Sequence, residues 1–189
     1  MKVLKFGGTS VANAQNILLV EKIVKKESLE NRVVVVVSAL SGVTDGLISA
    51  AESASAKNEN YSETIKTLEE KHLEFVKNLL PITEQSSWLS FVKKNFNDIE
   101  DICNGIYVLG EFTPRIKDKI TAYGEFLSSN IIAAKLKSDG LDCVWLDSRN
   151  YIKTNSNFTD AKVNFETTNA ALQTYFKENK QQITLAPGF

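Results

Sequence analysis

The run Lys5-Phe6-Gly7-Gly8-Thr9-Ser10 combines residue types suited to holding an anion. Glycines let backbone N–H groups approach a phosphate closely, a following helix start adds partial positive charge, and a lysine neutralises what remains. The spacing matches neither the dinucleotide fingerprint nor the P-loop, which needs a terminal Gly-Lys-Ser/Thr. A plain strand-to-helix turn would use the same residues, with Lys5 reaching solvent past an apolar strand edge. A second loop rich in hydroxyls and glycine is Ser38-Ala39-Leu40-Ser41-Gly42-Val43-Thr44-Asp45-Gly46. Ser38 ends an apolar run and Thr44 stands where a helix cap is expected; a capping hydroxyl can still contact a carboxylate ligand. The third candidate is Glu125, preceded by Gly124 inside a helical pattern. Glycine there costs about 1 kcal/mol against alanine, which points to a close approach of backbone or ligand. Glu125 itself lies off the apolar stripe, and spacing alone favours a solvated helix carboxylate.

Those residues need elements to position them. Apolar residues from Val3 to Phe6 predict a first strand. A helical pattern opens at Ala12, and Ala14, Ile17, Val20 and Val24 carry it to about Lys26. The five valines Val33 to Val37 predict a strand covered on both faces, at the centre of a parallel sheet with a right-handed crossover before it. A helix follows around Ala50. Ile65, Leu68, His72, Phe75 and Leu79 form a helical stripe ended by Pro81, and Leu89, Val92, Phe96, Ile99, Cys103 and Ile106 form another, closed by Gly110. Pro114 opens a third, marked by Ile116, Ile120, Tyr123, Leu127, Ile131 and Ala134 and stopping at Asp139-Gly140. Strands are expected at Leu141 to Leu146, at Tyr151-Ile152-Lys153 and at Ile183 to Ala186, with a helix from Ala161 to Tyr175. Alternating strands and helices give an α/β class, a three-layer α/β/α arrangement with a mainly parallel sheet and a helical insertion at about 60–112. The two glycine-bearing loops then lie at the carboxyl ends of adjacent strands, where open parallel sheets bind ligands.

Other chemistries find little support. A net charge of −1 offers no basic footprint for nucleic acid or an anionic membrane. Cys103 and Cys143 lack metal or redox spacing, and with one histidine, His72, a metal site is not expected. His72 reads as a packed histidine on its stripe, the cysteines as small buried hydrophobes, and Trp88 and Trp145 as structural. Two free thiols suit a reducing cytosol, although the pair could also form one bridge. No apolar run reaches membrane-spanning length and no signal-peptide pattern is visible, so a cytoplasmic protein is expected.

Taken together, Lys5-Phe6-Gly7-Gly8-Thr9-Ser10, Val35-Val36-Val37-Ser38-Ala39 with Gly42-Val43-Thr44-Asp45, and Gly124-Glu125-Phe126-Leu127-Ser128 resemble aspartate kinase. The run Gly105 to Glu111, followed by Pro114-Arg115-Ile116, looks like the branch fused to homoserine dehydrogenase. The resemblance spans the whole chain. It implies the N-terminal half of an amino-acid-kinase fold and transfer of the ATP γ-phosphate, with Mg2+, to the side chain of L-aspartate. The product is aspartyl 4-phosphate, the first step toward lysine, threonine and methionine. By the same resemblance Lys5, Gly7, Gly8 and Thr9 hold the transferring phosphate, with Lys5 catalytic, and Ser38, Thr44 and Glu125 bind aspartate, Glu125 facing its ammonium. The full-length enzyme is expected to be a homo-oligomer. Such a transfer relies on fixed charge and amides around the phosphoryl oxygens, and an ionised carboxylate nucleophile needs no general base.

The resemblance also implies that a glycine-rich segment carrying an arginine and an aspartate follows Gly188-Phe189, then the nucleotide-binding half and further domains. Residues 1–189 would thus be the aspartate- and phosphate-binding part, inactive as a kinase by itself. Two alternatives stay open: a sister kinase of the same fold acting on acetylglutamate or glutamate, and a non-catalytic amino-acid-binding domain. Thr44 and Gly124-Glu125 favour the aspartate reading.

Overall fold

The computed structural model describes residues 1–188; Phe189, the end of the Pro187-Gly188-Phe189 run, lies outside the described residues. Four strands, β1 (Lys2–Phe6), β2 (Val33–Val37), β3 (Cys143–Trp145) and β4 (Ile183–Pro187), form one sheet in the order β1-β2-β4-β3. All three pairings are parallel, with Phe6 opposite Val37 and Val37 opposite Pro187. Helix α1 (Ala14–Ser28) links β1 to β2. Between β2 and β3 come α2 (Val43–Ser55), α3 (Tyr61–Leu79), α4 (Ile82–Leu109) and α5 (Pro114–Ser138), and α6 (Phe165–Glu178) precedes β4. Because β4 inserts between β2 and β3, the chain reverses its direction of travel across the sheet after β3. A right-handed crossover then places α6 on the face opposite the other helices. The packing agrees. Ile17 of α1, Leu47 of α2 and Leu127 of α5 share one core with Val33, Val35 and Val37, whereas Tyr175 of α6 packs with Leu146 and Ala186.

That asymmetry corrects one expectation. A run of five valines implies a strand covered on both faces, yet only Val33, Val35 and Val37 are buried; Val34 and Val36 are half-exposed. The alternation of strand side chains sends the second pair to the face that α6 alone serves. There they line a groove of about 480 Å³ with Val3, Leu172 and Phe176. Two further differences are local. The strand expected from Leu141 shrinks to three residues, and Tyr151-Ile152-Lys153 is no strand: a 3₁₀ turn at Ser148–Asn150 leads into a hairpin-like loop in which Thr154 bridges to Val163. Thr168 of α6 fastens that loop, its hydroxyl accepting from the Lys153 amide at 2.9 Å. Among the described residues, no helix is long and apolar enough to cross a membrane.

Helices α3 and α4 form an antiparallel pair packed on α2, and their facing stripes are the ones the sequence pattern marks. Gly110 ends α4 in the left-handed conformation at φ 74°, which the missing side chain permits. His72 is fully buried in this pair, its ring tilted against Phe96 with centroids 5.2 Å apart. Its Nδ1 meets the Leu68 carbonyl oxygen at 2.7 Å and therefore carries the proton, while Nε2 has no partner. Burial pushes its pKa down from 6.5 to about 4, against the smaller opposing pull of the Leu68 carbonyl. The folded state thus refuses a proton that the unfolded chain accepts. Stability is predicted to be full above about pH 6.5 and to fall as pH drops from there toward 4, by roughly 1.4 kcal/mol per pH unit for this one group. Urea unfolding as a function of pH checks this, and His72→Leu should flatten the slope across that window.

Candidate functional site

The β1 end is a tight turn in which the Ser10 amide donates to the Gly7 carbonyl at 2.9 Å. Helix α1 begins only at Ala14, two residues later than its sequence pattern indicates. Its N-terminus is capped by the chain itself, Asn13 Oδ1 accepting from the Asn16 amide at 2.9 Å, and Asn16 Nδ2 donates to the Thr9 carbonyl at 2.7 Å. Any anion held here would meet the turn amides rather than the helix start. Gly7 is open, with no atom within 4 Å of where a Cβ would stand. Gly8 lies against the second loop: a Cβ there would be 3.4 Å from the Ala39 carbonyl oxygen and 4.0 Å from Ser38 Oγ.

The second loop is fixed from α5. The Ser38 amide makes the last rung of the β1–β2 ladder, donating to the Phe6 carbonyl at 3.1 Å. The next peptide unit is gripped at both ends. Ser128 Oγ donates to the Ser38 carbonyl at 2.8 Å, and the Ala39 amide donates to Glu125 Oε1 at 3.3 Å. Gly124 permits this approach, since a Cβ on it would stand 2.8 Å from the Ala39 methyl and 3.7 Å from Thr44 Oγ1. Thr44 is not the helix cap. Gly42 takes that position at φ 77°, and Thr44 lies in the first turn of α2 with its hydroxyl toward Gly124.

Glu125 is no solvated helix carboxylate, contrary to what spacing favours: it is 5% exposed. The stripe rule fails because α5 is covered on several sides, by α2, α4 and the sheet. Burial pushes its pKa up, opposed by N–H groups of its own backbone and of Ala39. Oε2 is buried with no partner. A half-satisfied carboxylate beside two hydroxyls and a glycine turn is suited to gripping a small cationic group of a ligand that also carries acidic oxygens.

The structure therefore brings Gly8, Ser38, Thr44 and Glu125 together, whereas Lys5 stands apart from them. With Leu4 and Phe6 packed on the main core, strand alternation sends Lys5 to the opposite face. There it lines the groove with Val36, Pro187 and Gly188. Gly188 belongs to this corner through its amide, which donates to the Val37 carbonyl at 2.8 Å, and a Cβ on it would stand 2.8 Å from Val36 Cγ1. Sequence reasoning assigned no role to Ser128 or Ala39. Both stand inside runs that carry the resemblance, and Ser128 is a hydroxyl one helical turn after Glu125. Among the described residues, no three His, Cys, Asp or Glu side chains gather to hold a metal.

Residues 1–189 match the amino acid kinase family over their whole length. The chain belongs to that family. This amino acid kinase chain is 34% identical over 190 residues to bifunctional aspartokinase/homoserine dehydrogenase 1, chloroplastic, of Arabidopsis thaliana, an alignment taking in 99% of this chain and 20% of the relative. It is 30% identical to the bifunctional aspartokinase/homoserine dehydrogenase of Buchnera aphidicola, covering 100% of this chain and 23% of that protein. It thus spans about a fifth of the length of these relatives. Among solved structures it superposes on aspartokinase III of E. coli in complex with aspartate and ADP, with a TM-score of 0.87 at 22% identity, over 100% of this chain and 40% of that one. The lysine and aspartate complex of the same enzyme gives 0.86, covering 99% of this chain and 40% of that one. At that identity these structures establish the fold.

Gly124→Ala is predicted to destabilise the chain in spite of better helix propensity. The new methyl meets another methyl rather than a flexible chain end, so overpacking of about 1–3 kcal/mol opposes a propensity gain of about 1 kcal/mol. Adding Ala39→Gly should recover most of the loss, and a double-mutant cycle by urea unfolding measures the coupling.

Proposed function

We propose that this chain is the aspartate- and phosphate-binding part of an aspartate kinase, whose whole protein transfers the ATP γ-phosphate to the side-chain carboxylate of L-aspartate to give 4-phospho-L-aspartate. The observation that carries the reading is the buried Glu125 carboxylate, with one oxygen on the Ala39 amide and the other unpartnered, close to Thr44 and Ser38. The names of the relatives support it, since the matched proteins are aspartokinases or aspartokinase/homoserine dehydrogenases.

In this reading Glu125 Oε2 accepts from the aspartate ammonium, and Ser38 and Thr44 offer hydroxyls to its carboxylates. The Gly7, Gly8 and Thr9 amides receive the transferring phosphoryl group. Lys5 extends its stem along the groove so that its ammonium reaches the strand end and neutralises charge on the same group. ATP is the phosphoryl donor. Its adenosine and the Mg2+ that accompanies it are left to the rest of the protein, since among the described residues no three His, Cys, Asp or Glu side chains gather to hold a metal. An ionised aspartate side chain attacks without a base, and the work of these residues is positioning and charge stabilisation. A cytoplasmic, homo-oligomeric full-length enzyme belongs to the same reading.

Titration calorimetry of this chain with L-aspartate, N-acetylglutamate and glutamate tests it. Aspartate is expected to bind, and Glu125→Gln to weaken it by about tenfold or more, the loss of a charge-assisted contact. The melting temperature should hold or rise. A carboxyl whose folded pKa is raised costs stability once pH exceeds the unfolded value, and the amide removes that cost. Aspartate binding unchanged in Glu125→Gln would remove Glu125 from the site.

A second outcome concerns pH. Above about pH 5 aspartate keeps both carboxylates ionised. Because burial raises the Glu125 pKa, lowering pH toward that limit should increase its protonated fraction and weaken aspartate binding in the wild-type chain. Whatever affinity Glu125→Gln retains should not vary over the same range.

A further inference from the structure

The β1–β2 ladder stops one rung earlier than its geometry allows. In a parallel pair each strand donates and accepts at alternate residues, and the observed end rungs fix the phase: the Lys2 amide to the Arg32 carbonyl, and the Ser38 amide to the Phe6 carbonyl. The next bond in that series would run from the Gly8 amide to the Ser38 carbonyl. It is not made, although Gly8 lies against Ser38 and Ala39. The Ser38 carbonyl is instead engaged from the other side by Ser128 Oγ at 2.8 Å. Ser128 is fully buried, and the second acceptor within its reach, the Glu125 carbonyl one turn back, lies farther away at 3.3 Å. Its hydroxyl therefore spends its hydrogen on the loop rather than on its own helix.

We infer that Ser128 is a positioning residue for the phosphate turn: by holding the Ser38 carbonyl toward α5, it stops the ladder and keeps the Gly8 N–H free for an anion. The inference rests on the proposed phosphate role of Gly7, Gly8 and Thr9. Ser128 acts on the Ser38–Ala39 peptide, a rigid plane that Glu125 holds by its N–H end at 3.3 Å and Ser128 by its carbonyl end at 2.8 Å, so removing either bond loosens the whole plane. Without that hydroxyl, the half-buried carbonyl loses its donor, and the Gly8 amide lies in the ladder direction to supply one. The anion turn would then be consumed as an ordinary strand rung.

Ser129 provides the control. It is equally buried on the same helix and equally bonded, accepting from Trp145 Nε1 at 2.9 Å and donating to the Phe126 carbonyl at 3.2 Å, but it faces β3. The experiment compares the chain with Ser128→Ala, Ser128→Cys and Ser129→Ala by NMR, reading the solvent-exchange rate of the Gly8 amide and its shift on titration with inorganic phosphate. In Ser128→Ala the Gly8 amide is expected to exchange about fivefold or more slowly, as one hydrogen bond of ordinary net strength would cause. Phosphate affinity should drop by a similar factor. Ser128→Cys, with a weak donor of similar size, should fall between, and Ser129→Ala should match the wild-type chain in both readings. Gly8 exchange in Ser128→Ala equal to wild type, or the same change in Ser129→Ala, would overturn the inference. A wild-type Gly8 amide that does not respond to phosphate would count against the phosphate reading itself, while the exchange comparison still decides what Ser128 does.

Discussion

The peptide bond between Ser38 and Ala39 is the joint on which the candidate site depends. A peptide plane has one donor and one acceptor pointing in opposite directions, so a loop residue is normally fixed at one end and free to swivel. Here both ends are held by residues three apart on one helix, Glu125 and Ser128, which that spacing places on the same face of α5. The arrangement needs the helix to lie against the loop, and Gly124 supplies the clearance. Fixing this one plane has wide consequences: Ser38 Oγ is aimed at the Gly8 turn, Val43 and Thr44 start α2 against Gly124, and β2 ends in register with β1. A site assembled from three separate stretches of sequence is in this way tied together by two hydrogen bonds and one missing methyl.

Glu125 and His72 are both buried, both titratable, and both left with one polar atom unpartnered. Each such atom costs on the order of 1–3 kcal/mol. The two differ in what lies around them. His72 sits among Leu68, Phe96 and the stripes of α3 and α4; burial there stabilises the neutral ring and the residue serves packing. Glu125 instead holds the Ala39 amide at a strand end, next to Gly124, which lies against Thr44. A carboxylate can be kept in such a place at a cost in stability when a ligand's positive charge later offsets it.

Much of the frame was legible in the sequence because the signals were periodic. The stripes of α3, α4 and α5, the αL glycine at Gly110 and the proline at the start of α5 follow from spacing and local chemistry. The residues of the candidate site stand out by type, but their environment does not. Glu125 looked solvated because stripe rules treat a helix as having one wet face, and α5 has none along this stretch. Thr44 looked like a cap because hydroxyls favour that position, whereas Gly42, at positive φ, ends the loop earlier. Ser128 closes a run that carries the resemblance, but its own part is not legible there, since a small hydroxyl mid-helix means little until the opposing carbonyl is located. The half-covered face of Val34 and Val36 was invisible for a different reason: a run of valines reports that a strand is apolar, while the order of strands decides how many helices return to each side.

Strand order also explains why the glycine turn must lie where it does. Period-two alternation in β1 commits Phe6 to the face that α1 and α5 cover, and Lys5 to the face shared with Val36 and Gly188. A cation on one face and a carboxylate on the other cannot meet through the sheet, because the ladder between β1 and β2 is continuous up to Phe6 and Ser38. They can act on one ligand only beyond the last rung. That point is the Gly7-Gly8 turn, open at Gly7 and pressed against Ser38 at Gly8. Side chains there would close the gap between the two faces, and a further rung would carry the sheet through it. In the proposed reading, two glycines and an interrupted ladder serve one requirement: the strands end, with their amides free, at the place where charge from both faces can converge.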